Sequence, residues 1–206
     1  MWAVHADHKH SITIKQAMEN VLDNEYFTFT KGCDFLDDYS SLGEFGFIPA
    51  IANGKLTPEQ AVIEHENALT LAKEADVVVL AMGEHMLQSG ESGSRTDITL
   101  PEPQKQLLHE IKALDKKIVL VLFNGRPLAL TDIIEDCDAV LEAWFPGTAG
   151  GLSICDCLFG DYNPSGRLTV SFPYHVGQEP LYYSQFATGR PANGSTHSGR
   201  FVSRYL

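Results

Sequence analysis

The sequence predicts a three-layer α/β sandwich, in which helices cover both faces of a mainly parallel sheet of about five or six strands. Two observations lead to this fold class. Helical and strand-like patterns alternate about five times along the 206 residues. The segments 77–81 and 118–123 are continuously apolar, which is typical of strands that are covered on both faces. Parallel strands need crossover connections, and helices in these connections supply the outer layers.

Two helices are expected before the first buried strand, and each begins at a capping box. These boxes pair Thr13 with Gln16 and Thr57 with Gln60. The first helix is expected to reach about residue 22. The second has Pro58 at its first position and is expected to reach about residue 75. Residues 26–30 are aromatic and β-branched and predict a strand, whereas residues 32–56 show no clear period.

The later elements continue the alternation of strand and helix. After the strand at 77–81 we expect helices at 102–113, 130–135 and 149–159, and strands at 118–123, 139–143 and 168–172. The chain is interpreted as one domain over residues 1–206, with a compact core at about 11–173. Residues 174–206 are polar, have no core-forming period and are expected to form an extended tail.

Composition and charge exclude several functional classes. Hydrophobic residues make up 44% of the chain and charged residues 20%, which is a globular composition. The net charge of −12 argues against binding to nucleic acid or to an anionic membrane. No apolar run approaches the roughly 20 residues of a membrane span, and the N-terminus does not resemble a signal peptide. Four cysteines and scattered histidines predict neither a disulfide framework nor a metal site.

The loops that follow the strands are the expected place for a functional site, because parallel sheets bind ligands at the carboxyl ends of their strands. These loops span 83–100, 124–128 and 144–150, and the first is the longest and most polar. It carries Glu84, Glu91 and Arg95. A loop carboxylate of this kind is a candidate general acid or base. The alternative is a solvated loop in which Arg95 pairs with Asp97 or Glu91.

Common motifs for other chemistries are absent from the sequence. There is no G-x-G-x-x-G fingerprint, no phosphate-binding loop and no G-x-S-x-G nucleophile elbow. A doubly wound cofactor-binding domain is therefore disfavoured, and no cofactor is expected. The residues themselves indicate an α/β domain with a carboxylate-bearing loop, without an evident second carboxylate to work with it.

Several segments resemble glycoside hydrolase family 3, and most closely the C-terminal (α/β)6 sandwich domain of its bacterial periplasmic-type β-glucosidases. They are residues 91–101 (ESGSRTDITLP), 122–128 (LFNGRPL), 142–151 (EAWFPGTAGG), 158–168 (LFGDYNPSGRL) and 180–184 (PLYYS). The resemblance runs from about Trp2 to the end of the chain, with the segments in the family's order and spacing.

The resemblance implies the C-terminal domain of a retaining β-glucosidase, which hydrolyses terminal β-D-glucosyl residues. In this family the Asp nucleophile lies on a TIM barrel that is absent from this chain, so we expect an incomplete domain that is inactive alone. A β-glucoside or oligosaccharide would bind at the interface with that barrel. No nucleic acid or membrane partner is expected, and the parent protein is expected to be periplasmic or secreted.

The family's functional residues carry over to the polar loop. Glu91 matches the general acid/base, and Glu84 is the second candidate because this loop varies in length across the family. Arg95 matches an Arg of the loop motif, which either contacts substrate or holds the loop. The 124–127 segment (NGRP) is expected to have a structural role. The competing hypothesis is a non-catalytic scaffold or a carbohydrate-binding module.

Overall fold

A sheet of three parallel strands lies at the centre of the part of the chain that the structure describes. The computed structural model describes residues 8–23, 25–40, 42, 55–91 and 93–184. The strands are β1 (Val77–Gly83), β2 (Lys117–Phe123) and β3 (Ala139–Glu142), and they lie in the order β1-β2-β3. In the register Leu80 is paired with Leu120, which in turn is paired with Val140. The predicted parallel α/β fold is confirmed.

In the described residues four helices flank this sheet, and they begin where local sequence signals place them. They are α1 (Ile14–Val21), α2 (Pro58–Glu74), α3 (Glu102–Lys112) and α4 (Gly150–Phe159). Both predicted capping boxes are formed, at the N-termini of α1 and α2. Short 3-10 turns occupy His8–His10, Ile134–Asp136 and Val176–Gln178. The helix expected at 130–135 is therefore a single turn at its C-terminal end.

Apolar side chains join the helices to the two faces of the sheet. One core contains Ala68 and Ala72 of α2, residues of α3, and side chains of β1 and β2. The other contains Ala17 and Met18 of α1 with Cys155 of α4, and Val79 of β1 packs against it. Successive residues of a strand point to opposite faces, so β1 contributes to both cores. This arrangement gives the three layers.

The fully buried side chains concentrate on the α2 and α3 face. Leu108, Ile118, Leu120, Leu122 and Leu128 have no exposed surface. Burying a side chain of this size contributes about 1.5–3 kcal/mol relative to leaving it in water. The first core therefore holds the carboxyl ends of β1 and β2 firmly, and these ends carry the polar loops.

The expected number of strands is wrong for the part of the chain that the structure describes, where three strands replace five or six. Residues 27–30 and 168–172 are extended or bent but belong to no sheet. Their β-propensity is not matched by a neighbouring strand, and a strand needs a paired backbone to be stable. Phe29 and Leu168 are accordingly 56% and 58% exposed. Most of the predicted tail, residues 185–206, and positions 41 and 43–54 of the predicted excursion lie outside the described residues.

Candidate functional site

A buried carboxylate stands at the carboxyl end of β1. The backbone of Glu84 continues the pairing with β2, because its N–H donates to the Phe123 carbonyl at 2.8 Å. Its side chain has no exposed surface. Arg95 Nη1 donates to Glu84 Oε1 at 2.7 Å, and the Gly125 N–H donates to Oε2 at 3.0 Å. Arg126 Nε lies 3.0 Å from Oε1, an ion-pair contact without hydrogen-bond alignment.

These contacts make Glu84 an anchor for two arginines. A buried charge is tolerated only when it is paired and hydrogen-bonded, and here both carboxylate oxygens have partners. Arg95 and Arg126 keep only 16% and 22% of their side chains exposed. The Glu84 carboxylate is thus enclosed by cations, and it has no face open to solvent for exchanging a proton with a substrate.

Glu91, in contrast to Glu84, lies at the surface of the protein. It lies on a turn that is closed by a hydrogen bond from the Gly93 N–H to the Gly90 carbonyl at 3.0 Å. Gly90 has a φ of +101°, a conformation that favours glycine, and this lets the chain reverse just before Glu91. Glu91 is exposed, and none of the described residues pairs with its carboxylate. Its side chain is therefore available to a ligand.

The turn that carries Glu91 is attached to the loop after β2. Arg126 Nη2 donates to the Gly93 carbonyl at 2.7 Å and also to the Gln88 carbonyl. Arg95 does not pair with Asp97 or Glu91, because it binds Glu84 and donates from Nη2 to the Thr99 carbonyl at 3.2 Å. Within the described structure, both arginines hold the loop from inside.

Close packing strengthens the contact between the loops. A Cβ atom on Gly125 would overlap the Ser89 side chain and would lie 2.8 Å from Phe145 Cε2. Only glycine allows this approach without displacing a neighbour. Gly125 thus brings together the loops that follow all three strands: Ser89 comes from the loop after β1, and Phe145 from the loop after β3.

A second carboxyl, half-buried, lies at the carboxyl end of β3. Glu142 Oε1 accepts a hydrogen bond at 2.8 Å from the backbone N–H of Trp144, which has a φ of +50°. Burial raises the pKa of Glu142 above its usual value. Its Oε2 and Asn124 Oδ1 are buried and have no hydrogen-bond partner within the described structure. Asn124 Nδ2 donates to the Arg126 carbonyl at 2.7 Å, which fixes the start of the loop after β2.

Gln104 of α3 is a further polar residue at this edge, and only 3% of it is exposed. Its Oε1 accepts from the Gly83 N–H at 2.8 Å, and its Nε2 donates to the carbonyls of Gly83 and Phe35 at 3.0 and 2.9 Å. The amide therefore connects the last residue of β1 to the segment that contains Phe35. Nothing in the apolar pattern of α3 marks this role.

His85 lies next to Glu84 but is set apart from the arginines. Its ring packs edge-on against Phe35 and Tyr39, with centroid distances of 5.6 and 6.3 Å. Burial lowers the pKa of His85, so the ring is neutral at pH 7. Among residues 8–184, where they are described, no three His, Cys, Asp or Glu side chains are grouped as metal ligands. In the same residues no helix is long and apolar enough to span a bilayer.

The structure thus separates the predicted site residues by environment. Glu84 and Arg95 are in direct contact, and Arg126, which the sequence assigns to architecture, completes their cluster. Glu91 is exposed, on the turn whose Gln88 and Gly93 carbonyls Arg126 binds. Sequence reasoning did not single out Glu142 or Gln104 at this edge, and it gave Asn124 only a structural role within the 124–127 segment. A polar residue at the end of an apolar strand was the available signal for Glu142 and Asn124.

Comparison with known proteins shows which family the chain resembles. The model of the glycosyl hydrolase family 3 C-terminal domain matches residues 1–203. A periplasmic β-glucosidase of Salmonella typhimurium is 40% identical over the whole chain, which spans 26% of that protein. A β-xylosidase of Formosa agariphila is 37% identical over 75% of the chain and 18% of its own length.

Solved structures agree with this result. The β-glucosidase of Listeria innocua in complex with isofagomine matches the whole chain with a TM-score of 0.76 and 36% identity. The chain covers 25% of that structure, so it spans about a quarter of the length of these relatives. The chain therefore belongs to glycoside hydrolase family 3, as a C-terminal domain of that family.

Proposed function

We propose that this domain supplies the general acid/base, Glu91, to the active site of a retaining β-glucosidase. The observation that carries the proposal is the contrast between the two loop carboxylates. Glu91 is exposed, and no described residue pairs with it, whereas Glu84 is buried against two arginines. A group that gives and takes protons at a substrate must be able to reach it, and this favours Glu91.

The chemistry assigned to Glu91 has two steps. In the first, its carboxyl donates a proton to the glycosidic oxygen while a carboxylate nucleophile of another domain forms a bond to the anomeric carbon. The bond from that carbon to the glycosidic oxygen breaks, and the aglycone leaves as an alcohol. In the second, the Glu91 carboxylate takes a proton from water, and that water displaces the nucleophile from the sugar. Each turnover returns both carboxyl groups to their starting states.

The relatives support the substrate class and the setting. The Salmonella typhimurium and Listeria innocua proteins that match the whole chain are named β-glucosidases, while a protein named β-xylosidase matches a smaller part. We therefore propose a terminal β-glucoside as substrate, bound between this domain and a barrel domain that holds the Asp nucleophile. The Salmonella protein is named as periplasmic, and we propose a periplasmic or secreted location for the complete enzyme.

The test uses the complete protein that contains this chain, with the Glu91→Ala substitution. General acid/base catalysis contributes about 10²–10⁴-fold, so we expect kcat/KM to fall by that order for a substrate with a poor leaving group. Aryl glucosides with activated leaving groups need no protonation in the first step, so their kcat/KM should fall far less. Azide should restore turnover, because it attacks the glycosyl-enzyme without a base.

The matched control is Glu135→Ala, which removes another exposed carboxylate, on the Ile134–Asp136 turn. It should leave the activity on both substrates unchanged. Equal losses with good and poor leaving groups after Glu91→Ala would argue against the acid/base role. The isolated chain should not hydrolyse an aryl β-glucoside, and turnover that disappears with Glu91→Ala would contradict the assignment of the nucleophile to another domain.

A further inference from the structure

We propose that Arg126 is a positioning residue for the acid/base: it fixes the backbone at Gln88 and Gly93, on either side of Glu91, and so determines where the Glu91 carboxylate stands. This inference rests on the proposed role of Glu91. It assigns a function to a side chain that contacts neither Glu91 nor, in the proposed mechanism, the reacting atoms. The argument depends on what Arg126 binds, on what holds Arg126, and on what else could orient Glu91.

The contacts of Arg126 bracket Glu91. Its Nη2 donates to the carbonyl of Gln88, three residues before Glu91, and to the carbonyl of Gly93, two residues after it. One guanidinium nitrogen therefore ties together the two ends of the turn. The hydrogen bond from the Gly93 N–H to the Gly90 carbonyl, 3.0 Å long, closes the turn between these two points.

Arg126 is itself held in place by the ends of β1 and β2. Its Nε lies 3.0 Å from Glu84 Oε1, and its carbonyl accepts from Asn124 Nδ2 at 2.7 Å. Glu84 is held in turn by Arg95 and by the Gly125 N–H. Because Glu84 and Asn124 are completely buried at the edge of the rigid sheet, the position of the guanidinium is set by the core.

The backbone is the main means of orienting Glu91, since no described side chain contacts its carboxylate. Displacing a catalytic group by about 1 Å can cost roughly 100-fold in rate. Arginine suits the role because its planar, permanently charged fork reaches several acceptors at once, whereas lysine offers a single nitrogen. With lysine at position 126 we expect one of these contacts to be kept and the turn to shift.

The experiment uses the complete protein with Arg126→Ala and Arg126→Lys. We expect kcat/KM for a poor leaving group to fall about 10–100-fold with Arg126→Ala, and less with Arg126→Lys. The loss in kcat/KM should be smaller for an activated leaving group, and azide should restore part of kcat for that substrate, because the second step then limits turnover. Arg167→Ala is the control, because Arg167 is exposed and, within the described residues, donates only to the carbonyls of its neighbours Ser165 and Gly166.

A double-mutant cycle with Glu91→Ala separates positioning from a general structural effect. If Arg126 acts through Glu91, adding Arg126→Ala to Glu91→Ala should reduce the rate by less than twofold. Additive losses, or an equal loss with both leaving groups, would overturn the inference. If Arg126→Ala does not fold, Arg126→Lys takes its place in the cycle, because it keeps a cation beside Glu84.

The cycle also distinguishes this inference from the proposed function. Leaving-group dependence and azide rescue in the single Glu91→Ala variant establish the acid/base, and the cycle then decides the role of Arg126 alone. Absence of both effects in Glu91→Ala would overturn the proposed function, and this inference with it. Faster amide hydrogen exchange over residues 88–93 in Arg126→Ala, with unchanged exchange in β1 and β2, is the expected structural result.

Discussion

Replacing Glu84 by glutamine tests whether this residue is the buried anchor that the structure indicates. The amide keeps the shape of the carboxylate but loses its charge, and its NH₂ group must face one of the donors that now bind Glu84. Breaking a buried ion pair by removing one partner costs about 3–5 kcal/mol. Water reaches part of Arg95 and Arg126, which are 16% and 22% exposed, so we expect the lower end, about 3 kcal/mol.

Thermal unfolding followed by circular dichroism measures this loss. For a domain of this size each 1 kcal/mol lowers Tm by about 2–4 °C, so Glu84→Gln should lower it by about 6–12 °C. The control is Glu91→Gln, the same chemical change at an exposed position, which should stay within about 0.5 kcal/mol of the parent. Equal Tm values for the two variants would refute the view of Glu84 as an ion-pair anchor.

Two further variants test the contacts around the loops. Gly125→Ala should destabilise the protein by about 1–3 kcal/mol because its Cβ would overlap Ser89, whereas Gly147→Ala, with open space around it, should not; urea unfolding compares them. Burial raises the pKa of Glu142 above 4.5, so its proton stabilises the fold at low pH and that contribution is lost as pH rises through the folded-state pKa. The stability of the parent relative to Glu142→Gln should therefore fall as the pH rises above 4.5, and a constant difference in urea midpoints would contradict this.

The helices and central strands could be predicted because their signals are local. The capping box of Thr57 with Gln60 places the start of α2 at the correct residue, and the apolar run at 118–123 places β2 within one residue. Residues 26–30 and 168–172 carry the same kind of local strand signal without forming strands. Strand formation depends on a neighbouring strand, and the sequence of the segment itself does not show whether one is there.

In the candidate site, too, local sequence signals were sufficient for some features, whereas others depend on contacts between distant segments. Glu84, Glu91 and Arg95 were identified from one polar loop, but their different roles depend on Arg126, which lies 42 positions after Glu84 in the sequence. Charge pairing across that separation has no local pattern. The buried acceptors of Asn124 and Glu142 depend likewise on the pairing of β2 with β3, which places Leu122 beside Glu142.

The amide of Gln104 limits where a further strand can pair with β1. In a parallel ladder alternate residues direct their backbone groups to opposite neighbours, and Glu84 already donates to β2. Gly83 therefore directs its N–H and carbonyl away from β2, and Gln104 occupies both of these groups. Any strand that adds to this side of β1 must end its pairing before Gly83, which leaves the loop that carries Glu91 clear of the added strand.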